Sequence, residues 1–195
     1  MESLKTIINR WRQTRGYGVQ SPNDYGFIRN VIAEKMPYYA YRQLEKEHGR
    51  LNKKTCRKCQ LLFRIANYCQ PRLTIVCNNN AETAKAYMQA GCKQAKTISV
   101  DCEKDAEKLM EQASDIGMIY INADGKWFDF LLQASQKLAD KAACIIDNIH
   151  SDKETEEKWN KLKELPSTGS TYDLRHCGII LFEKKQYKKH YLLNY

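Results

Sequence analysis

The sequence predicts an α/β fold with a mostly parallel sheet, a helical N-terminal extension and an antiparallel hairpin at the C-terminal edge. Short apolar segments alternate with amphipathic ones after Pro71, which is typical of a parallel sheet covered by helices. Before Pro71 the apolar residues recur at helical spacing only. Residues 170–195 hold three strand-like segments separated by a tight turn and a short basic stretch, which favours a hairpin.

The composition is that of a globular protein. The chain has 195 residues, of which 43% are hydrophobic and 28% charged, and this balance excludes the disordered class. No apolar run approaches the roughly 18 to 20 residues of a membrane helix, and the N-terminus lacks the apolar segment of a secretory signal. We therefore expect a cytoplasmic protein with no membrane partner. Its eight cysteines include Cys69, Cys77 and Cys144 within apolar segments, which favours free thiols over a disulfide framework.

The net charge of +9 lies entirely in the N-terminal third. Residues 1–64 hold 14 Lys and Arg against 5 Asp and Glu, and the remainder is balanced. This asymmetry is compatible with binding of nucleic acid or another polyanion. Tyr38, Tyr39 and Tyr41 beside Arg42 are residue types that stack on bases and contact phosphates. The alternative interpretation is a set of solvated basic helix faces.

Residues 1–70 are expected to form a basic helical extension or lid. The predicted helices span residues 3–15, 23–36, 38–50 and 54–69. In the first of them Leu4, Ile7, Ile8 and Trp11 recur at helical spacing. Ser21 or Asn23 is suited to cap the second.

Residues 71–195 are expected to form one Rossmann-like domain. Four strands alternate with helices, and three strands follow at the end. The predicted strands span residues 73–77, 96–100, 117–121, 142–146, 170–174, 178–183 and 191–195. The predicted helices span residues 81–90, 103–113, 128–139 and 152–165. The first strand should pair with the second on one side and with the third on the other.

Two strand ends carry the most informative motifs. Met118–Lys126 reads MIYINADGK and Cys144–His150 reads CIIDNIH. They resemble the fourth strand with its Asp-Ala-Asp-Lys turn, and the fifth strand ending in Asp-Asn, of class I S-adenosylmethionine-dependent methyltransferases of the small O-methyltransferase branch. The loop Arg15–Pro22 resembles the Gly-x-Gly-x-x-Ser-Pro loop of a bacterial subgroup of that family. The resemblance implies a Rossmann-like methyltransferase fold, S-adenosylmethionine as cofactor and an unidentified small-molecule acceptor.

The glycine-rich cofactor loop of that family is missing. Glycines in such a loop let the backbone approach the cofactor, yet no glycine occurs between Gly49 and Gly91. Either Leu73–Cys77 is strand one with its loop rewritten as Asn78–Asn80, or it is strand two and the strand-one unit is absent. The short spacing to the Met118 strand favours the second alternative. Both alternatives impair the site, so we expect the cofactor to bind weakly or not at all.

Five polar residues follow predicted strands, at the edge where open α/β sheets build their sites. The resemblance implies cofactor contacts from Asn78, Asp101 and Asp124. Asp147 is the predicted catalytic residue, and His150 the predicted general base, because the ordinary pKa of histidine lies near neutrality. The competing interpretations are that the carboxylates cap loops and helix starts and that His150 is an ordinary loop residue.

No metal is expected in the site. In the metal-dependent branch of the resembled family, the positions of Asn122, Asp147 and Asn148 bind a divalent cation. Asn122 replaces a carboxylate here, which leaves one formal negative charge for an ion that prefers several. Cys56 and Cys59 have the spacing of a zinc or redox pair, but they lie in a predicted helix without a matching second pair.

Overall fold

A computed structural model of the chain describes residues 2–77, 81–104, 109, 111, 113–183 and 188–195. The α-helices in these ranges are α1 Leu4–Thr14, α2 Pro22–Phe27, α3 Tyr39–His48, α4 Lys53–Cys69, α5 Glu82–Gly91, α6 Trp127–Ala134 and α7 Lys153–Glu164. A π-helical turn, Ile28–Ile32, continues α2, and a 3-10 turn, Ser135–Lys137, continues α6. The strands are β1 Leu73–Cys77, β2 Lys96–Ser99, β3 Ile116–Asn122, β4 Leu138–Asp147, β5 Thr168–Asp173, β6 Cys177–Phe182 and β7 Lys189–Leu192.

The strands form one seven-stranded sheet in the order β2-β1-β3-β4-β6-β5-β7. The run β2-β1-β3-β4 is parallel, β6 is antiparallel to both β4 and β5, and β7 is parallel to β5. This topology confirms the predicted α/β fold with a mostly parallel sheet and a C-terminal antiparallel hairpin. Helices connect the parallel strands because a parallel pair needs a crossover connection.

Strand β1 stands at the centre of the parallel run. Ile75 pairs with Ile98 of β2 and with Ile119 of β3, as predicted. The doubly wound order 3-2-1-4-5-6 also places its first strand between the second and the fourth. Within the described residues the parallel run has four strands, and this order is compatible with both alternatives for Leu73–Cys77, so the loss of the strand-one unit stays a prediction. The carboxyl ends of β1 and β2 lie side by side at the same edge of the sheet. The predicted loop Asn78–Asn80, which follows β1, lies outside the described residues.

Both faces of the sheet are covered, so the core has two halves. On one face the N-terminal helices contribute Phe27 and Leu62, which cluster with Tyr120 of β3. On the other face α6 and α7 contribute Trp127 and Trp159. The alternation of side chains along each strand sends successive residues to opposite faces, which explains why these strands are continuously apolar.

Helix α1 is present as predicted, but its apolar side faces solvent. Leu4 is 73% exposed and Trp11 48%, whereas Arg10 is only 2% exposed. The Arg10 guanidinium donates to the carbonyls of Asp173 and Leu193 at 2.9 and 3.1 Å and to the Asp173 carboxylate at 3.1 Å. A charged residue with its donors satisfied therefore anchors this helix to the C-terminal strands.

A buried carboxylate anchors α2 to the same strands. Ser21 caps α2 through the Asp24 amide, and Asp24 itself is 1% exposed. Its carboxylate accepts hydrogen bonds from Ser170 Oγ at 2.7 Å, the Tyr172 hydroxyl at 2.9 Å and the Tyr191 hydroxyl at 3.1 Å. Burial and the charge of Asp24 raise the pKa of Tyr172, so the phenol stays protonated and continues to donate.

The cysteines are all free thiols. Cys77 and Cys144 are buried in the core as expected, and Cys69 is half-buried. Burial raises the pKa of Cys69 to about 12, as befits a small apolar packing residue. No helix within the described ranges is long and apolar enough to cross a membrane.

Candidate functional site

Asp147 lies at the carboxyl end of β4, next to Asn122 of β3 and Cys177 of β6. Its buried carboxylate accepts a hydrogen bond from the Lys58 ammonium at 2.7 Å and from the Tyr120 hydroxyl at 2.5 Å. Burial and the charge of Asp147 raise the pKa of Tyr120, so its hydroxyl remains a donor. The carboxylate is therefore held in place by one cation and one neutral phenol.

Lys58 reaches this strand end because α4 packs over it. Asn52 caps the helix by accepting from the Thr55 amide at 2.9 Å. Cys59, the neighbour of Lys58, is 1% exposed and fixes the helix rotation against the core. The Lys58 side chain is then 36% exposed at the rim of the site. Sequence analysis missed Lys58, because the spacing within one helix does not reveal which strand end it covers.

A chain of amide hydrogen bonds joins the ends of β3 and β4. The Asn148 Nδ2 donates to Asn122 Oδ1 at 2.7 Å, and Asn122 Nδ2 donates to Asp124 Oδ2 at 2.7 Å. Asn148 adopts φ 61°, a conformation that asparagine tolerates, and its amide donates to the His176 carbonyl at 2.7 Å. Asp124 and Asp147, both predicted site residues, thus lie on adjacent strand ends.

Asp101 follows β2 and caps its own turn. Its Oδ1 accepts from the amides of Glu103 and Lys104 at 2.9 and 3.3 Å, and Lys104 Nζ lies 3.6 Å from Oδ2. The hydrogen bond from the Glu103 amide is the main cause of the lowered pKa of Asp101. A Cβ added at Gly125 would lie 2.8 Å from Glu103 Oε1. The carboxylate of Glu103 therefore packs against the turn that follows β3. Asn78, the third predicted cofactor residue, lies outside the described residues.

His150 belongs to a different cluster. Its Nε2 lies 2.9 Å from Asp173 Oδ2 and its Nδ1 lies 3.5 Å from Glu156 Oε1. The hydrogen bond to Asp173 is the main cause of the raised pKa of His150. Burial by itself would raise the pKa of Asp173, but hydrogen bonds from His150, the Arg175 amide and Arg10 lower it to about 2. In the described part of the chain no contact joins His150 to Asp147, so the two predicted catalytic residues are not brought together.

A cavity of about 580 Å³ opens beside Asp147. We call it the basic cavity, because its lining includes Lys53, Lys54, Arg57, Lys58 and His176. Asp147 is the acidic residue of this lining, and Leu174, Cys177 and Tyr195 supply apolar surface. The first turn of α4 therefore brings cations to the carboxyl edge of the sheet.

The cysteine pair of α4 is structural. Burial raises the pKa of Cys59 to about 11 and also raises that of Cys56, so both thiols stay protonated at neutral pH. Gln60 Nε2 donates to Cys56 Sγ at 3.4 Å. Within the described ranges no group of three or more His, Cys, Asp and Glu residues is arranged to hold a metal ion. The cation that meets Asp147 is the ammonium of Lys58.

Within the aromatic cluster of the basic third, Tyr41 and Tyr38 pack into the protein, whereas Tyr39 is 89% exposed. Tyr41 is 8% exposed and packs against Phe63 at a centroid distance of 5.2 Å and against Tyr38 at 5.3 Å. Arg64 is buried and donates to the Val31 carbonyl at 2.6 Å. The rings of Tyr38 and Tyr41 therefore already have protein partners, and nucleic-acid binding through the basic third stays a prediction.

Comparisons with known proteins rest on structure. No protein-family model matches the sequence, and no curated protein sequence matches it. A methyltransferase from Geobacter sulfurreducens is similar over 80% of this chain and 95% of its own, with a TM-score of 0.55 at 15% identity. The S-adenosylhomocysteine-bound methyltransferase PaMTH1 from Podospora anserina is similar over 94% and 97%, with a TM-score of 0.55 at 9% identity. A candidate caffeoyl-CoA O-methyltransferase from Staphylococcus aureus is similar over 84% of this chain and 100% of its own, with a TM-score of 0.54 at 12% identity.

The fold is that of the class I methyltransferases. Structural similarity at identities of 9 to 15% shows the fold alone. The chemistry of the chain therefore has to be argued from its site. In the class I methyltransferase fold the carboxyl ends of β1 to β4 form the active edge, because ligands of open α/β sheets bind there. Asp101, Asp124, Asp147 and the basic cavity all lie at that edge.

Proposed function

We propose that this chain is an S-adenosylmethionine-dependent methyltransferase of the O-methyltransferase type with a weak hold on its cofactor. The observation that carries the proposal is the position of the basic cavity. It opens beside Asp147, at the end of β4, between the first turns of α4 and the start of β6 at Cys177. A class I fold with a ligand-sized cavity at its active edge has room for an acceptor beside the cofactor.

Lys58 is the residue we assign to the acceptor. The Tyr120 hydroxyl donates to the buried carboxylate of Asp147, and this carboxylate in turn fixes the Lys58 ammonium at the rim of the cavity. A fixed ammonium next to an acceptor hydroxyl stabilises the negative charge that develops on that oxygen. Asp147 then acts as a positioning residue, and Lys58 supplies the cationic charge at the strand end.

The cofactor side supports weak binding. Asp101 is the carboxylate best placed for the ribose hydroxyls, since it follows β2, but it already accepts two backbone amides. Asp124 already accepts from Asn122. Binding would have to compete with these contacts, and the chain supplies no glycine between Gly49 and Gly91. Losing two hydrogen bonds to charged groups costs about 1.5 to 3 kcal/mol each, enough to move a micromolar site towards millimolar.

Calorimetric titration with S-adenosylmethionine and S-adenosylhomocysteine tests the proposal. We expect a dissociation constant between roughly 0.1 and several millimolar. Asp101→Ala should weaken binding further, whereas Asp140→Ala, at an exposed position of β4, should leave it unchanged. Absence of binding at several millimolar would reject a methyltransferase and leave a binding protein of the same fold. A low-micromolar constant would reject the weak hold alone.

A further inference from the structure

The cations of the basic cavity are in excess of their partners. Lys58 is paired with Asp147, but in the part of the chain that the structure describes no carboxylate lies at ion-pair distance from Lys53, Lys54 or Arg57. Three neighbouring positive charges repel one another. Such an arrangement is stable when an anion lies between them or when solvent screens them.

The position of these lysines in α4 opposes the helix dipole. Lys53 and Lys54 are the first two residues of this 17-residue helix, and its first turn holds no acidic residue. The N-terminus of a helix favours negative charge and disfavours positive charge. Charges that oppose the helix dipole, as those of Lys53 and Lys54 do, are more often found at functional sites. An anion bound beside the first turn of α4 would offset the unfavourable interaction of both lysines with the dipole.

The cavity also has a firm apolar wall. The Arg57 guanidinium lies 4.9 Å from the centre of the Tyr195 ring. The Tyr195 hydroxyl donates to the Arg57 carbonyl at 2.6 Å and accepts from Arg64 Nη2 at 3.1 Å. The ring is therefore fixed in place and offers a surface for a planar or apolar body, whereas Leu174 is 1% exposed and adds little to that surface.

His176 reports the same positive field. Its pKa is lowered, first by burial and then by the charges of Lys54 and Arg175, while the charge of Asp147 acts in the opposite direction. The imidazole is therefore neutral near pH 7. An anion in the cavity would favour the protonated ring and raise this pKa.

We infer that the basic cavity binds a small organic phosphate, with the phosphate group on Lys53, Lys54 and Arg57 and the organic body against Tyr195. A phosphate dianion matches several converging cations and backbone amides better than a single carboxylate charge does. The cavity, of about 580 Å³ and open to solvent on one side, has room for a small molecule. Arg10 and Arg64 of the basic third are buried against the protein, whereas cations such as Arg12 and Arg42 are exposed outside the cavity, so competition with an RNA oligonucleotide is one arm of the test. Binding of the organic phosphate is independent of the proposed function. Only its role as the methyl acceptor rests on that function.

Binding of phenyl phosphate to the full chain tests the inference, without cofactor present. Phenol and inorganic phosphate are the matched controls, because each carries one half of the probe. We expect phenyl phosphate to bind at least about tenfold more tightly than either half, since body and anion are linked in one ligand. The His176 ring signals, followed by NMR, should shift and its pKa should rise on binding. Binding of inorganic phosphate as tight as that of phenyl phosphate would reject the apolar wall as part of the site.

Charge-removing variants locate the site. The double variant Lys53→Gln/Lys54→Gln should weaken phenyl phosphate binding at least about tenfold. The control Lys153→Gln/Lys161→Gln removes two charges from exposed positions of α7 and should bind like the parent chain. Arg57→Gln gives an independent test in case the double variant unfolds, which circular dichroism would reveal. Equal binding by parent and cavity variants, or no binding at about 10 mM, overturns the inference.

Two further arms separate the alternatives. A single-stranded RNA oligonucleotide that binds tightly and displaces phenyl phosphate would favour a nucleic-acid partner over a small ligand. Binding of phenyl phosphate without any binding of S-adenosylmethionine would keep the phosphate site and reject the methyltransferase. Cofactor binding without phosphate binding would do the reverse. The two proposals therefore fail independently.

Discussion

At the scale of single residues, the site depends on one partly buried ion pair, in which the carboxylate is buried and the lysine is 36% exposed. Lys58 and Asp147 are 89 positions apart in the sequence and meet at 2.7 Å. Removing one partner of a buried pair leaves an uncompensated charge, and this costs more than the pair itself contributes. The half-exposed lysine lowers that cost, because solvent screens its end of the pair.

We expect Lys58→Met to lower the free energy of unfolding by about 1 to 2 kcal/mol, since Tyr120 still donates to the carboxylate. Asp147→Asn in the Lys58→Met background should recover part of this loss, because it removes the unpaired charge. Urea unfolding of the two single variants and the double variant gives the coupling. Strictly additive losses would mean that the two side chains do not interact in solution.

The His150–Asp173 pair makes stability depend on pH. The folded pKa of His150 is raised above its ordinary value of about 6.5. Its contribution is therefore complete below that value and is lost as pH rises through the folded pKa. The pKa of Asp173, lowered to about 2, gives a contribution that is present above its ordinary value of about 3.9 and is lost as pH falls towards 2.

His150→Gln should therefore destabilise the chain most at about pH 5 to 6 and least in the alkaline range. Thermal unfolding of parent and variant across pH measures the difference. His48→Gln, at an exposed position of α3, is the control and should show no such dependence. If His150 acted as the general base, His150→Gln would abolish methyl transfer; we expect transfer to be retained near pH 7.

At the scale of elements, two N-terminal helices are fastened by charged groups. Arg10 attaches α1 to the ends of β5 and β7, and Asp24 attaches α2 to the same strands. Periodicity predicted both helices and their approximate bounds. It did not reveal the contact side of α1, where the apolar stripe of Leu4 and Trp11 is exposed while Arg10 is buried.

We expect Asp24→Ala to destabilise the chain by at least about 3 kcal/mol, because three buried hydroxyls lose their acceptor at once. Asp140→Ala, at an exposed position, should change stability by less than about 0.5 kcal/mol. Chemical denaturation measures both. A loss below about 1 kcal/mol for Asp24→Ala would mean that the hydroxyls find other partners.

At the scale of the whole molecule, the N-terminal helices and the sheet share one core. Leu62 of α4 is fully buried in the cluster that contains Tyr120 and Ile145 of the sheet. The predicted boundary between residues 70 and 71 therefore coincides with a change of pattern, and we expect no separate unfolding of the two parts. A shared core couples the unfolding of the parts that build it, as in small single domains.

Leu62→Ala tests this cooperativity. It should cost about 2 to 5 kcal/mol, as large-to-small changes in a close-packed core do. In a Trp11→Phe background, far-ultraviolet circular dichroism and tryptophan fluorescence should shift together, because the two remaining tryptophans, Trp127 and Trp159, report the opposite face of the sheet. A shift in circular dichroism with unchanged fluorescence would show that the helical layer unfolds alone.

The sequence by itself determined the order and kind of the elements, and with them the edge that carries the site. The alternation after Pro71 predicted the parallel strands, and the motif CIIDNIH placed Asp147 and Asn148 at a strand end. These features are local, because the periodicities of helices and strands are written into neighbouring residues. The pairing of β1 with β2 and β3 followed from the spacing of those segments.

Only the tertiary structure decided which distant side chains meet. It joined Lys58 to Asp147, turned His150 to Asp173, and brought the first turn of α4 over the end of β4 to form the basic cavity. Such contacts depend on how whole layers pack and on the rotation of each helix. Neighbouring residues in the sequence do not reveal the packing of layers or the rotation of a helix. Whether an arginine or a lysine is buried depends on the acceptors it meets across the fold.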